Sequence, residues 1–258
     1  MIGLAVGAAA AGLRPLVSVT YMDFLMLGFD PLINYAAKLR YKTAGQLRAP
    51  LVVKTTAGAK GQGVAHSQCI ESWLISVPGL KVVAPSTPSD AYGLMKAAFR
   101  EEGPVVYIDH KRLFPASGEV EIDAAPNVVG QAVTRRVGKD VTLVSYSYMM
   151  QVALQAADMM ASEGVGCDVI DLRSLAPLDV ETVSRSVART NALVTLEEGQ
   201  VTGGIGAEII VRLQETRGAL KFARVGALPA PVSSNPILEA ACLPDVSRVC
   251  AAIRSVIG

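Results

Sequence analysis

The chain has 258 residues, of which 51% are hydrophobic and 18% are charged, so it has enough apolar side chain for a large core and extended disorder is excluded. The 24 lysine and arginine residues balance 23 aspartate and glutamate residues and are scattered, which argues against a nucleic-acid-binding surface. The apolar run at the amino terminus is interrupted at Arg14 and Pro15, so no membrane partner is expected either.

The first half of the chain alternates between predicted helices and strands. Helices are predicted at residues 1–13 and 87–100, and strands at residues 16–21, 51–55, 80–84 and 104–108. Apolar residues also follow a helical spacing from 23 to 40, with a break at Pro31. A second helical segment is expected to start there with Asp30 as its cap.

The pattern weakens between residues 114 and 139, which is the best candidate for a linker. Beyond it, strands are predicted at 141–146, 168–172, 192–197 and 222–225, and helices at 149–163, 179–188, 205–214 and from 246 onward. Repeated strand–helix units with β-branched strands indicate parallel sheets covered by helices on both faces. We therefore expect an α/β protein with two parallel-sheet domains, residues 1–125 and 126–258.

Many common catalytic motifs are absent from the sequence. It contains only two histidines, His66 and His110, and has no HExxH, paired CxxC, GxSxG or GxxxxGK[ST] motif, which argues against a zinc site, a nucleophile-elbow hydrolase and a phosphate loop. The four cysteines are too few for a disulfide scaffold in a chain of this length, which favours a reducing compartment.

The glycine-rich segment 58–68, GAKGQGVAHSQ, is the most informative local pattern. It lies between a predicted strand and a predicted helix, at the kind of strand end where open α/β sheets place ligands. His66 near its end can serve as an acid or base. A flexible loop whose histidine only caps the helix is an equally good interpretation at this stage.

Two further segments allow more than one interpretation. Residues 199–206, GQVTGGIG, resemble half of a dinucleotide-binding loop, but the spacing is not GxGxxG, and tight packing of strand against helix is the better explanation. Residues 109–112, DHKR, follow a strand and are polar enough to line a cleft, and a solvated loop explains them equally well.

Taken together, these segments resemble a known enzyme family. The resemblance is to the beta subunit of the thiamin-diphosphate-dependent dehydrogenase component of 2-oxo acid dehydrogenase complexes, of the pyruvate or acetoin type. It covers nearly the whole chain in the family's order and is carried by GLAVGAAAAGLRP, GVAHSQCIESW, PGLKVVAPSTPSDAYGLMKAAFREEGPVVYID, DVIDLRSLAPLD and EEGQVTGGIGAEI. The HKRLF and SGEV segments lean toward acetoin dehydrogenase.

The resemblance implies a transketolase-like pyrimidine-binding domain followed by a transketolase carboxyl-terminal domain. It further implies an oxidoreductase subunit of an alpha–beta heterotetramer that cleaves a 2-oxo acid or acetoin and passes the acyl group to the lipoyl-bearing acyltransferase. The alpha subunit of this family holds the diphosphate and Mg²⁺, so this chain would supply half a site. Phe24 matches the aromatic residue that packs on the aminopyrimidine ring, and His66 matches the active-site histidine.

The resemblance also carries two weaker implications. Leu51, Ala98, Glu101 and Gly103 match positions that cradle a structural K⁺ in some members of the family. The glutamate that bonds the pyrimidine nitrogen would fall about three positions before Met1, so an amino-terminally short chain is expected to form the reactive carbanion poorly unless that carboxylate is supplied from elsewhere.

Three alternatives stay open at this stage, the most distant being an unrelated nicotinamide-dependent enzyme suggested by the glycine-rich loop at Gly203. The chain could be a non-catalytic truncated paralogue that acts as an assembly or binding subunit. It could also be a transketolase fragment, although the HSQ signature and the scarcity of histidines count against this. The expected location is the cytoplasm of a bacterium rather than the mitochondrial matrix.

Overall fold

The computed structural model describes residues 1–122 and 127–258. Within them, two five-stranded sheets are covered by helices, and no helix is both long and apolar enough to cross a membrane. The predicted domain boundary near residue 125 lies outside the described residues and stays a prediction.

The first sheet has a core of four parallel strands in the order β1-β2-β4-β3. These strands are β1 (Leu16–Val19), β2 (Val52–Ala57), β3 (Lys81–Val83) and β4 (Val105–His110). The accompanying α-helices are α1 (Ile2–Ala10), α2 (Leu39–Lys42), α3 (Glu71–Ile75) and α4 (Pro88–Ala98). β2 and β4 are rich in β-branched residues and are almost wholly buried, as central parallel strands are.

The second sheet repeats this plan with the parallel order β10-β9-β6-β7. The strands of the second half are β5 (Val133–Arg136), β6 (Val141–Ser145), β7 (Cys167–Asp171), β8 (Ser174–Ala176), β9 (Ala192–Gln200) and β10 (Lys221–Ala227). The helices are α5 (Met149–Ser162), α6 (Val180–Thr190), α7 (Ile205–Arg217), α8 (Pro236–Cys242) and α9 (Val246–Ile257). The predicted architecture of two α/β sheets is confirmed.

Each sheet also carries an antiparallel edge strand that the sequence analysis did not predict. β5 lies inside the predicted linker region and pairs with β7. β8 belongs to the second half of the chain but pairs with β3 of the first sheet, with Val82 opposite Ala176. One hydrophobic cluster contains residues of both halves, among them Leu74, Val106, Leu175 and Val183. The two halves are therefore joined by strand pairing and by a shared core.

The segment between β1 and β2 is helical but irregular. It forms a 3₁₀ stretch at Met22–Gly28 and a π-helical stretch at Asp30–Ala36. The expectation that Asp30 caps the second stretch is wrong: Asp30 is its first residue, and the carboxylate accepts a hydrogen bond from the side chain of Asn34 at 2.9 Å. The cap of α4 is as predicted, since the Thr87 hydroxyl accepts a hydrogen bond from the backbone N–H of Asp90 at 3.1 Å.

Candidate active site

The two polar segments that follow β2 and β4 lie side by side at one edge of the first sheet. β2 ends at Ala57 and β4 ends at His110, and these two residues are register partners in the parallel pair. Residues 58–68 continue from β2 and residues 111–113 continue from β4. Both segments thus start from the carboxyl ends of adjacent strands, the edge at which open α/β sheets bind ligands.

His66 lies against two aromatic side chains near the end of the loop. Its imidazole centroid is 4.7 Å from the ring centroid of Tyr21 and 5.3 Å from that of Phe24, with nearly perpendicular planes in both pairs. Phe24 is 44% exposed, so part of its ring is open beside the imidazole. The structure therefore brings together Phe24 and His66, while their roles stay predictions.

Two buried polar atoms beside this cluster have no hydrogen-bond partner among the described residues. They are Oδ2 of Asp23 and Oγ of Ser67. The other carboxylate oxygen of Asp23 accepts a hydrogen bond from the backbone N–H of Gln68 at 3.2 Å. A buried polar group left without a partner costs about 1–3 kcal/mol, so these two atoms mark a locally unfavourable arrangement beside His66 and Phe24.

Gly58 lets the loop turn sharply over the end of β4. Its φ is +91°, and a Cβ at this position would lie 1.9 Å from Nε2 of His110. Both the left-handed conformation and the close approach require glycine. The glycine-rich pattern therefore reflects a fixed path of the loop.

Lys111 is buried beneath the loop and connects its two ends. Its Nζ donates a hydrogen bond to the carbonyl oxygen of Gly58 at 2.8 Å and a shorter one to the carbonyl oxygen of His66. The same ammonium lies 5.0 Å from the ring centroid of Tyr21. Burial lowers the pKa of Lys111, although nearby Asp23 opposes this effect. The interpretation of this segment as a solvated loop is therefore wrong.

Acidic residues of the second half of the chain hold the beginning of the same loop. One carboxylate oxygen of Glu198 accepts a hydrogen bond from the backbone N–H of Ala59, and one of Glu239 accepts from that of Gly61, each at 2.7 Å. Arg112 donates to the carbonyl oxygen of Ala59 and to the Glu239 carboxylate, each at 2.8 Å. The beginning of the loop is thus fixed through its backbone.

His110 is part of this support. Its Nδ1 accepts a hydrogen bond from the backbone N–H of Arg112 at 3.1 Å, so Nε2 carries the proton of the neutral ring and donates it to Glu198 at 2.8 Å. The ring also stacks on Tyr148. Burial by itself would raise the pKa of Glu198, but the hydrogen bond from His110 and that from Ala59 bring it below its usual value. Both histidine nitrogens are occupied, which makes His110 a structural residue.

Glu71 is a buried acid that the sequence analysis did not single out. It begins α3 and is only 4% exposed. Burial raises the pKa of Glu71 to about 8, and the neighbouring carboxylates of Glu198 and Glu197 act in the same direction. Hydrogen bonds from the backbone and from the Cys69 thiol oppose this rise. Glu71 is therefore mostly protonated at neutral pH.

The glycine-rich turn between β9 and α7 serves packing, as the sequence favoured. The Glu197 carboxylate accepts hydrogen bonds from the backbone N–H groups of Ile205 at 3.0 Å and Gly206 at 3.1 Å, at the amino terminus of α7. A Cβ at Gly204 would lie 2.4 Å from that carboxylate. Because a carboxylate already occupies the helix terminus, a cofactor phosphate would meet negative charge there.

Most of the described carbonyl and carboxylate groups of the four residues expected to cradle K⁺ already have partners. The carbonyl oxygens of Leu51 and Ala98 accept backbone hydrogen bonds, and that of Glu101 accepts one from Arg14 at 2.7 Å. The Glu101 carboxylate forms an ion pair with Lys81. Glu101 thus already contacts two cationic side chains, the guanidinium of Arg14 and the ammonium of Lys81. In residues 1–122 and 127–258, no cluster of three or more His, Cys, Asp or Glu is arranged to hold a metal ion.

Two family models match the chain. Residues 1–116 match the pyrimidine-binding domain of transketolase, and residues 130–249 match the transketolase carboxyl-terminal domain. A solved structure described as a split gene transketolase, inactive beta4 tetramer, superposes with a TM-score of 0.84 at 25% identity, covering 99% of this chain and 80% of that one. The fold and its two domains define a transketolase-type protein.

Curated relatives narrow this class. The chain is 44% identical over 262 residues to the pyruvate dehydrogenase E1 component subunit beta-2, mitochondrial, of Oryza sativa subsp. japonica, covering 98% of this chain and 69% of the rice protein. It is 39% identical over 257 residues to the acetoin:2,6-dichlorophenolindophenol oxidoreductase subunit beta of Cupriavidus necator, covering 98% of this chain and 76% of that protein. The chain belongs to the family of beta subunits of thiamin-diphosphate-dependent 2-oxo acid and acetoin dehydrogenases. These relatives favour the enzyme-subunit interpretation over the non-catalytic alternative.

Proposed function

We propose that this chain, together with an alpha subunit, forms the active site of a dehydrogenase that cleaves a 2-oxo acid or acetoin and delivers the acyl group to a lipoyl-bearing acyltransferase. The observation that carries this proposal is the pairing of the His66 imidazole with the partly exposed ring of Phe24, 5.3 Å apart. The pair lies where the loop after β2 and the segment after β4 meet.

The residues at this edge are suited to one half of a thiamin diphosphate site. The open face of Phe24 would hold the aminopyrimidine ring by stacking, and the unpaired Oδ2 of Asp23 and Oγ of Ser67 are buried in the residues next to Phe24 and His66. When bound, the cofactor supplies the carbanion that attacks the substrate carbonyl. Mg²⁺ and the diphosphate would be held by the alpha subunit.

His66 would move a proton at the substrate or lipoyl side of the site. An imidazole changes charge near neutral pH, and its two nitrogens can donate and accept. Tyr21 and Phe24 contact the ring edge to face, which restricts its orientation. The loop backbone that carries His66 is fixed by several hydrogen bonds, so the imidazole is presented from a rigid support.

Apolar side chains exposed on the 3₁₀ stretch support a partner chain at this face. Phe24 is 44% exposed, Met26 45% and Leu27 90%. Exposed apolar residues grouped on one stretch are typical of a protein–protein interface. We assign this face to the alpha subunit, in an assembly with two alpha and two beta chains, and the location to a bacterial cytoplasm.

A structural K⁺ at Leu51, Ala98, Glu101 and Gly103 is a further part of the proposal. A carbonyl oxygen has two lone pairs, so those that already accept one hydrogen bond can still take a cation. The test is thermal unfolding of the complex in K⁺ and in Na⁺ at equal ionic strength. A higher midpoint in K⁺ supports the site, and identical midpoints reject it.

The test of the main proposal is a dye-linked assay of the chain co-expressed with its alpha subunit. The complex, supplied with thiamin diphosphate and Mg²⁺, is assayed with pyruvate, other 2-oxo acids and acetoin. Phe24→Ala is expected to weaken cofactor binding measured by calorimetry, whereas Phe222→Ala serves as the control because this phenylalanine is 43% exposed on β10. His66→Asn is expected to reduce turnover by about 10²–10⁴-fold without loss of the complex.

The results separate the alternatives. Turnover of one substrate class together with cofactor binding that depends on Phe24 supports the proposal and names the substrate. A complex that binds the cofactor equally well with Phe24→Ala, or turnover that is unchanged in His66→Asn, rejects the assigned roles. A stable complex without turnover of any of these substrates rejects the proposed activity.

A further inference from the structure

Lys111 is the described residue whose side chain contacts both ends of the loop that carries His66. Its ammonium donates hydrogen bonds to the carbonyl oxygens of Gly58, the first residue after β2, and of His66 itself. A single cation thus fixes the distance between the end of the strand and the histidine. No step of the proposed function uses this group.

The burial of this ammonium indicates that the arrangement is specifically built. Lys111 is 5% exposed, and burying an ammonium group costs free energy unless hydrogen bonds and opposite charges compensate for it. The compensating acids come from three separate segments, namely Asp23, Glu198 and Glu239. The Tyr21 ring, which also contacts His66, lies over the ammonium.

The other described hydrogen bonds to the loop from the segment after β4 and from the second half of the chain go to its beginning. Glu198 and Arg112 bind Ala59, and Glu239 binds Gly61. Toward the end of the loop, Lys111 is the residue of these segments that donates a hydrogen bond to the His66 backbone. The position of the His66 imidazole therefore depends on Lys111 more than on Glu198 and Glu239, while Asp23 holds the neighbouring Gln68 through its backbone N–H.

We propose that Lys111 is a positioning residue that sets the location of the His66 imidazole by tying the His66 carbonyl to the end of β2. This inference rests on the proposed function, because it gives Lys111 a role in the reaction that His66 serves. A positioning error of about 1 Å at a reacting group can cost about 100-fold in rate, so loss of the ammonium is expected to lower turnover strongly.

The first experiment compares Lys111→Met with Lys60→Met in the complex with the alpha subunit. Methionine keeps most of the apolar stem of Lys111. Lys60 is an exposed lysine of the loop 58–68, so the control variant also removes one positive charge beside the site. Lys111→Met is expected to reduce kcat about 10–100-fold and to change the Kd of thiamin diphosphate much less, because the ammonium is hydrogen-bonded to the His66 loop and reaches the segment of Phe24 only through the Tyr21 ring and the charge of Asp23. A purely structural role would instead lower kcat, cofactor affinity and thermal stability together.

The second experiment is chemical rescue. Lys111→Ala lacks the atoms of propylammonium, so propylamine is expected to restore kcat saturably by about tenfold in this variant and to leave wild type and Lys60→Met unaffected. Propylamine without effect on a folded Lys111→Ala complex rejects the proposal. An unchanged kcat in Lys111→Met also rejects it.

Amide hydrogen exchange tests the inference without a measurement of activity. In the chain without substrate, amides of residues 58–68 are expected to exchange about tenfold faster in Lys111→Met than in Lys60→Met, the factor that loss of one ordinary hydrogen bond supplies. If the wild-type complex turns over no substrate while this difference is seen, the proposed function fails and the loop contact stands. Equal exchange in the two variants overturns the assignment of Lys111.

Discussion

Replacing Glu71 by glutamine should make the protein more stable at alkaline pH and change little at acidic pH. The carboxyl group is buried at the start of α3, and burial raises its pKa from the ordinary 4.5 to about 8, with Glu198 and Glu197 nearby. The folded state therefore keeps a proton that the unfolded chain releases above pH 4.5. Between these two values the folded state binds more protons than the unfolded state, so the free energy of unfolding falls as pH rises.

The magnitude follows from the same interval. A pH unit corresponds to about 1.36 kcal/mol, so a span from 4.5 to about 8 sets an upper limit on the order of 5 kcal/mol on the stability lost through Glu71. Glutamine has nearly the same shape and still accepts the hydrogen bond from the Cys69 thiol. It titrates at no pH, so the stability difference between Glu71→Gln and wild type should grow from near zero at low pH to about 2–4 kcal/mol near pH 8.

Urea unfolding of the full chain at a series of pH values between about 5 and 9 measures this difference. Glu215→Gln is the control, because Glu215 is exposed on α7 and its replacement should change stability by less than about 0.5 kcal/mol at every pH. A Glu71→Gln difference that does not rise with pH would refute the reasoning, and so would a variant that is less stable than wild type at pH 8.

Three further substitutions test other parts of the structure, each by urea unfolding. Gly58→Ala should cost at least about 1–2 kcal/mol more than Gly45→Ala, because both have φ near +90° but only Gly58 lies against an imidazole; equal costs would contradict the close approach. Arg135→Met should cost about 3–5 kcal/mol, since it leaves the fully buried carboxylate of Asp171 without its ion pair, and a neutral effect would show that the pair is dispensable. Asp179→Ala removes the cap of α6 and should cost about 1 kcal/mol near neutral pH; because the pKa of Asp179 is held below its usual value, that loss should shrink as the pH falls through this pKa.

The support of the His66 loop assigns a role to the second half of the chain. Two carboxylates from that half, Glu198 and Glu239, accept hydrogen bonds from the loop backbone, and β8 extends the first sheet. The half that carries neither Phe24 nor His66 thus fixes the geometry of the half that does. Substitutions in it are therefore expected to affect the candidate active site without touching it.

The sequence by itself predicted the elements whose signals are local. Strand–helix alternation predicted two α/β sheets, and the segments resembling a known family pointed to Phe24 and His66, which the structure places 5.3 Å apart. The short edge strands β5 and β8 were missed, because pairing with a distant strand, rather than any pattern of their own, makes them strands. The prediction that Asp30 is a cap was wrong, because its carboxylate accepts a hydrogen bond from the side chain of Asn34 instead of from a backbone N–H.

Only the tertiary structure decided which charged residues hold the loop. Glu198 and Glu239 are separated from their partners Ala59 and Gly61 by 139 and 178 positions, and no local pattern encodes such a pairing. The contacts of Lys111 are not encoded locally either. A polar run after a strand is equally typical of a cleft lining and of a solvated loop. An ion can be buried only where packed segments supply the hydrogen bonds and charges that offset its desolvation, and these segments are distant in the sequence. Spacing along the chain therefore located the histidine, and the packing of the two halves determined how it is held.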